Sequence, residues 1–405
     1  MTRRQLPRWS EIRPLLKTQP LTFNAVDRRL AAAASVADLR AIARRRTPRS
    51  VFDYVDGAAE QEVSLSRARA AYRRVEFHPH VLQDVSEVDS STAILGRPAA
   101  MPLIFAPTGF TRMMHHEGEA AVARVAADTG VPYTLSTMGT TSPEAVAVAA
   151  PDGMRWFQLY VWRDRDASAE LIRRSIAAGY DALMLTVDTP VAGARLRDVR
   201  NGLTIPPSLR LKTLADMSLH PSWWFNLLTT EPLEFAAVRS SGGTVAEMIN
   251  RMFDPSVTYG DLDWLRDQWP GKLIVKGIQD VSDAIEVVEH DADAVVLSNH
   301  GGRQLDRATT PLDSLPLVVE AVRGRAEIYV DTGVTNGADI LAAVALGANA
   351  VMVGRAYLYG LMAGGERGVR RARDILGEEF RRTQQLLGVR SLKELTSDHV
   401  SLRDH

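Results

Sequence analysis

The run Ser298-Asn299-His300-Gly301-Gly302-Arg303-Gln304-Leu305-Asp306 sets a histidine and an arginine three residues apart with two glycines between them. Imidazole is the side chain best able to take a proton near neutral pH. Guanidinium is a planar fork that donates two parallel hydrogen bonds to a carboxylate. If the loop makes one helical turn, the two groups share a face. A base beside a carboxylate clamp suits chemistry at the carbon next to that carboxylate. Asp188, in Thr186-Val187-Asp188-Thr189-Pro190, is the candidate to hold the His300 tautomer and to stabilise the imidazolium formed after proton uptake. Arg195 is a second candidate for the carboxylate, and Tyr54 and Tyr160 are candidate phenol donors to substrate.

Lys276, in Ile274-Val275-Lys276-Gly277, leaves two functional readings open. It can form a Schiff base, as in barrel aldolases, or stay charged and stabilise an anionic cofactor. Asp331-Thr332-Gly333-Val334 and Gly354-Arg355 join small residues to a cation, a pattern suited to a cofactor phosphate. Asp331-Thr332-Gly333 also matches the aspartic-protease tripeptide, but that chemistry needs two such aspartates in a β-rich fold. His78, His80, His115 and His116 lack a convincing acidic or strand-end context, so no metal site is expected.

The elements that must position these residues repeat from about residue 100 onward. Short apolar runs cover 101–106, 132–136, 156–160, 182–187, 273–276, 294–298, 328–331 and 350–353, with helix-period segments between them. Ser142-Pro143 reads as a helix start, and Gly130, Gly179 and Gly347 read as helix stops. Leu171, Ile172 and Ile176 mark one apolar stripe. Eight such alternations predict an α/β fold, a (β/α)8 barrel over 99–380. In this fold the residues just past the strand ends form the active site. A mainly helical segment, 1–98, precedes the barrel, and a tail, 381–405, follows it. A long insertion, 201–262, interrupts it after the fourth strand, as a lid or docking loop. That insertion carries Pro206-Pro207, Trp223-Trp224-Phe225 and Gly242-Gly243, and its aromatic cluster has two readings: packing over the barrel mouth or dipping into a lipid interface.

The 405 residues include 0 cysteines, which excludes thiolate nucleophiles, disulfides and cysteine-ligated metals. A net charge of −1 gives no general attraction to nucleic acid. Residues 1–50 nonetheless hold twelve Lys and Arg against three acids. This is a solvated helical face or a surface for an anionic membrane or acidic redox partner. Arg3-Arg4 is followed by no apolar core, and there is no apolar run of about 18 residues, so a cytoplasmic or membrane-surface protein is expected.

With these residues assembled, the chain resembles the FMN-dependent L-2-hydroxy acid oxidase and dehydrogenase family from about residue 36 to 395. The 298–306 run is the most specific element. Within the family the chain is most similar to bacterial L-lactate dehydrogenases, on His220-Pro221-Ser222-Trp223 and Tyr357-Leu358-Tyr359. The resemblance implies that His300 is the base with Asp188 as its partner, that Arg195 and Arg303 clamp the carboxylate, and that Tyr54 and Tyr160 contact substrate. It places Pro107, Thr108 and Gly109 behind the flavin ring, with Ser136, Gln158, Thr186 and Lys276 bonded to it and Ser298 close by. Asp331 would hold the ribityl chain, and Gly333, Gly354 and Arg355 the phosphate.

Two positions qualify this. Thr332 stands where many members have glycine and Thr335 where they have arginine, so the phosphate leans on Arg355 and backbone N–H groups. Gly109 stands where oxidases often carry alanine, which favours a quinone or cytochrome acceptor over oxygen. The implied activity is oxidation of a 2-hydroxy acid, such as L-lactate to pyruvate, by a homo-oligomer, a tetramer, peripheral on the cytoplasmic face of the inner membrane. The rivals are an oxygen-using oxidase for lactate, glycolate or mandelate, a Lys276 aldolase or lyase, and a catalytically silent binding barrel.

Overall fold

Strands this short and apolar are stable only when both faces are covered. In the computed structural model, which describes residues 6–13, 24–202, 211–233, 235 and 253–403, they close on one another. They are β1 (Leu103–Phe105), β2 (Tyr133–Ser136), β3 (Arg155–Leu159), β4 (Ala182–Thr186), β5 (Lys272–Ile278), β6 (Ala294–Leu297), β7 (Glu327–Val330) and β8 (Ala350–Val353). Neighbours are parallel throughout, and β8 returns to β1 through Val351↔Leu103 and Val353↔Phe105. The sheet is therefore a closed barrel without edges. Arg3-Arg4, Pro206-Pro207 and Gly242-Gly243 lie outside the described residues.

Side chains alternate between the two faces of each strand. Ile104, Trp156, Met184, Ile274, Val296, Tyr329 and Met352 fill the barrel. Leu103, Phe157, Leu183, Leu185, Val275, Val295 and Val351 pack outward under the helices. The same parity, continued to the C-terminal rim, turns Ser136, Gln158, Thr186, Lys276, Ser298 and Asp331 inward. Ser142 caps its helix by accepting from the Ala145 N–H, and Gly130, Gly179 and Gly347 take left-handed conformations at helix ends. Leu171 and Ile172 are buried as predicted, but Ile176 is exposed near the end of its helix.

The N-terminal segment contributes α1 (Ala25–Ala31), α2 (Val36–Arg46), α3 (Arg49–Asp56) and α4 (Val63–Arg73). It is not helical to residue 98. Val75–Phe77 is a strand paired with Val400–Leu402, and Thr92–Ile94 pairs with Arg97–Ala99. Three-residue strands carry too few alternations to be read locally, and the first has its partner at the other end of the chain. The insertion contains α5 (Pro221–Thr229), and β8 is followed by α6 (Arg355–Leu387). This helix runs past residue 380, and the paired strand at 400–402 ties the tail to the N-terminal segment. No helix among the described residues is long and apolar enough to cross a membrane.

α6 bends at Gly364 and Gly365, which lets its two halves approach at Gly360 and Gly368. A Cβ on Gly368 would overlap the Gly360 carbonyl oxygen. Gly368→Ala is expected to destabilise the protein by about 1–3 kcal/mol through overpacking, read as a lower denaturant midpoint with an unchanged m-value. An unchanged midpoint would mean the two halves can separate at no cost.

Candidate active site

One cavity at the C-terminal rim is lined by His300, Arg303, Arg195, Tyr54, Tyr160 and Lys276, together with Pro107, Thr108, Gly109, Ser136, Thr186, Asp331, Gly333, Gly354 and Arg355. Asp188, Gln158 and Ser298 stand behind that wall. Each is bonded to a residue that lines it: Asp188 to His300, Gln158 to Ser136, and Ser298 to Lys276.

The loop after β6 makes a single 3-10 turn, His300–Gly302, so His300 and Arg303 emerge together. His300, Gly301 and Gly302 have φ of 58°, 68° and 72°. Only glycine adopts this conformation freely, and a Cβ at Gly302 would also stand 2.8 Å from the Leu65 nitrogen of α4. His300 carries a side chain at positive φ and is held there from two sides. Its N–H donates to Ser298 Oγ (3.0 Å), and its Nδ1 lies 2.8 Å from Asp188 Oδ1.

Asp188 is buried, which alone would raise its pKa, but His300 and then Lys276 hold it below the ordinary carboxylate value. An anionic Asp188 accepting from Nδ1–H leaves Nε2 of His300 as the proton acceptor. Lys276 lies 2.8 Å from Asp331 Oδ2 and donates to Ser298 Oγ (2.8 Å). Burial works against its charge, but Asp331 and Asp188 outweigh that and raise its pKa. A raised pKa favours the ammonium, which is no nucleophile, and this weighs against the Schiff-base reading of Lys276.

The two arginines converge on Tyr54. The guanidinium carbons of Arg303 and Arg195 lie 4.9 Å and 5.4 Å from its ring centre. Arg303 also donates to the Tyr54 carbonyl, and Arg195 reaches Asp198 at 3.5 Å. Burial first, then the Arg195 charge, push the Arg303 pKa down to about 10, which still leaves it charged at neutral pH. A carboxylate between the two relieves both the desolvation and the repulsion.

At the far end the same cavity is lined by Thr332, Gly333, Gly354 and Arg355. Gly333, expected to let backbone approach a phosphate, has φ of 96° and backs onto α4, where a Cβ would stand 2.7 Å from the Ala68 oxygen. Its glycine is required by helix packing. Thr332 also has a positive φ (69°), rare for a β-branched residue, and its hydroxyl bonds Asp331 (2.7 Å) and the Gly301 N–H (3.0 Å). Thr335 spends its hydroxyl on Asp339 (3.0 Å). Arg355 donates to the carbonyls of Val55 (2.9 Å) and Gly57 (2.7 Å). A further cation, Arg69 of α4, lines this end, close enough to Arg355 to lower its pKa after burial does so. Sequence reasoning missed Arg69, because nothing in a helical run with Arg67 and Arg73 says which arginine turns inward. Gln304, part of the conspicuous loop but given no role, donates to the Asp188 carbonyl (3.1 Å) and the Val191 carbonyl (2.8 Å), tying the loops after β4 and β6 together.

Residues 43–402 match the model of the FMN-dependent dehydrogenase family. The chain is 56% identical over 398 residues, 98% of its length and 96% of the relative's, to a Mycobacterium tuberculosis (strain ATCC 25618 / H37Rv) protein provisionally named an L-lactate dehydrogenase. It is 39% identical over 368 residues, 89% of its length and 97% of the relative's, to an L-lactate dehydrogenase of Ectopseudomonas mendocina (strain ymp). Among solved structures it is similar to the monotopic membrane protein (S)-mandelate dehydrogenase, with a TM-score of 0.88 and 37% identity over 92% of this chain and 100% of that one. The chain belongs to the FMN-dependent dehydrogenase family. Its cofactor is therefore FMN.

The cavity fits that group. Among the described residues, Thr186 Oγ1 and Gln158 Nε2 are buried without a hydrogen-bond partner, in the same rim layer as Ser136 and Lys276. A buried donor or acceptor left unpaired costs about 1–3 kcal/mol, which the polar edge of a flavin ring would offset. Arg355 and Arg69 supply positive charge for a phosphate at the other end. Thr186→Val is expected to raise the FMN dissociation constant about three- to tenfold in a fluorescence titration of the apoprotein. The melting temperature of the apoprotein should not fall, since the lost hydroxyl has no partner there. An unchanged dissociation constant would remove Thr186 from the flavin's partners.

Proposed function

We propose that the protein oxidises L-lactate to pyruvate and passes the electrons to a quinone or cytochrome at a membrane surface. The reaction class is FMN-dependent oxidation of a 2-hydroxy acid. The observation that supports it is the convergence of His300, Arg303 and Arg195 on one cavity whose rim also carries Ser136, Thr186 and Lys276. Arg303 and Arg195 grip the carboxylate, and Tyr54 and Tyr160 border the same space. His300 Nε2 takes one proton as the alcohol becomes a carbonyl, and the anionic Asp188 stabilises the resulting imidazolium. FMN, when bound, supplies the two-electron acceptor that no side chain here provides. The hydroxyl and Cα hydrogens leave as two protons and two electrons in total.

Gly109 supports an acceptor other than oxygen, on the family pattern. A Cβ there would stand 2.9 Å from Met138 Cβ, so the space beside the turn is already filled and alanine would displace Met138. The oxidase reading keeps support from an L-lactate oxidase of Nostoc sp. (strain PCC 7120 / SAG 25.82 / UTEX 2576), 39% identical over 364 residues, covering 89% of this chain and 96% of that protein, and from a solved mandelate oxidase at 36% identity and a TM-score of 0.79. Peroxide release measured against dye reduction under L-lactate separates the two readings.

Membrane contact rests on α5, whose Trp224, Phe225 and Leu228 are 37%, 58% and 74% exposed. Trp223 is buried instead and donates to the Met113 carbonyl (2.8 Å), so the aromatic cluster divides between packing and an open apolar face.

Anaerobic L-lactate should bleach the flavin of the purified protein. In His300→Gln the flavin should be retained while its reduction slows about 10²- to 10⁴-fold. Bleaching at the native rate would exclude His300 as the base. Arg69→Ala and Arg355→Ala should each weaken FMN retention about tenfold, measured by ultrafiltration. If only Arg355→Ala does so, Arg69 has no part in holding the phosphate.

A further inference from the structure

A second cavity lies beside the first, and Met114 borders both. Its walls come from α1, α2, α5, α6 and the turn after β1, and they carry Arg29, Arg46, Arg112, His115 and His116. Among the described residues no carboxylate lines it. Among the described residues each guanidinium meets only a neutral oxygen: Arg29 donates to the Ala363 carbonyl (2.7 Å), Arg46 to Ser222 Oγ (2.7 Å) and Arg112 to the Glu231 carbonyl (2.6 Å). A guanidinium has five N–H donors, so most of this donor capacity is unspent. Among the described residues His116 Nδ1 is buried without a partner.

Positive charges gathered in a cavity with no lining acid repel one another, and the local titrations reflect it. Burial, then His116, Arg29 and Arg46, push the His115 pKa down to about 3. Burial, then Arg46 and Arg367, lower that of Arg29. His115, His116 and Glu117 come close enough together to hold a metal ion. Arg29 and Arg46 oppose a cation there, and Glu117 already accepts the Glu366 N–H (2.6 Å). The site is built for an anion. Three forked donors from three separate elements suit a tetrahedral group with several oxygens better than a flat carboxylate with two.

We propose that this cavity binds a phosphate group, from free phosphate or from the headgroup of an anionic lipid. The second source has a structural argument: α5 turns Ser222, Trp223 and Asn226 to the cavity and leaves Trp224, Phe225 and Leu228 exposed on its outer side. A phosphate in the cavity and an acyl chain along that outer face can belong to one molecule.

The test uses the full-length, FMN-loaded protein, so that the flavin phosphate site is filled. Inorganic phosphate should bind saturably in a calorimetric titration. The double variant Arg29→Ala/Arg46→Ala should weaken it about tenfold or more while keeping the flavin spectrum, and Arg46→Lys should retain part of the binding. In parallel, vesicles of phosphatidylcholine with and without phosphatidylglycerol are sedimented with the protein. A phosphatidylglycerol preference lost in the double variant identifies the lipid as the source, and saturable phosphate binding without that preference identifies free phosphate. The proposal is overturned if neither probe binds, if both variants bind like the native protein, or if zinc binds through His115 and His116 and phosphate does not. Should the double variant fail to fold, the native protein still decides the matter, because phosphate must raise its melting temperature in a saturable way.

Discussion

Two guanidinium groups held over one tyrosine ring, with the proton acceptor His300 on the same cavity, are the constraint around which this rim is organised. Like charges do not assemble in a partly buried space without support. Here the Tyr54 ring, its carbonyl and Asp198 supply it, and the arrangement remains electrically incomplete. On the proposed reading, a substrate carboxylate would balance the two guanidinium charges. Because His300 lines the same cavity, a substrate held that way would be bound and oriented in one event.

Below that layer the charges are arranged in pairs. Asp188 faces His300, and Asp331 faces Lys276, with Ser298 bonded to both Lys276 and the His300 backbone. Asp331 and Asp188 keep Lys276 charged against burial, and Asp188 orients the His300 ring through Nδ1. The pairs therefore do different work. One leaves a free base, and the other leaves a fixed positive charge at the level of the orphaned Thr186 and Gln158 atoms.

The N-terminal helices complete the barrel end. α4 is packed so closely that Gly302 and Gly333 cannot carry side chains, and the end of α3 supplies the carbonyls that hold Arg355. Arg69, from the same layer, lines the same cavity as Thr332 and Thr335 of the loop after β7. The opposite side of Met114 belongs to a separate, cationic space formed with α5, so one turn after β1 borders both the flavin cavity and the insertion.

The eight strands, the loop 298–306 and the pairing of His300 with Asp188 were legible in the sequence, because strand burial, glycine punctuation and side-chain chemistry are local properties. The resemblance supplied Ser136, Gln158 and Ser298, which no local signal marks as more than ordinary polar residues at strand ends. Three things escaped. Arg69 sits in a helix whose rotation is set only by packing, the packing of Gly333 against α4 has no local signal, and the 75–77 strand pairs with residues more than three hundred positions away. Sequence fixes which groups are available and the parity with which a strand presents them. Direction, burial and the meeting of charges from distant segments come only from closing the barrel and packing the helices over it, because desolvation and Coulomb energies depend on distances the linear order does not contain.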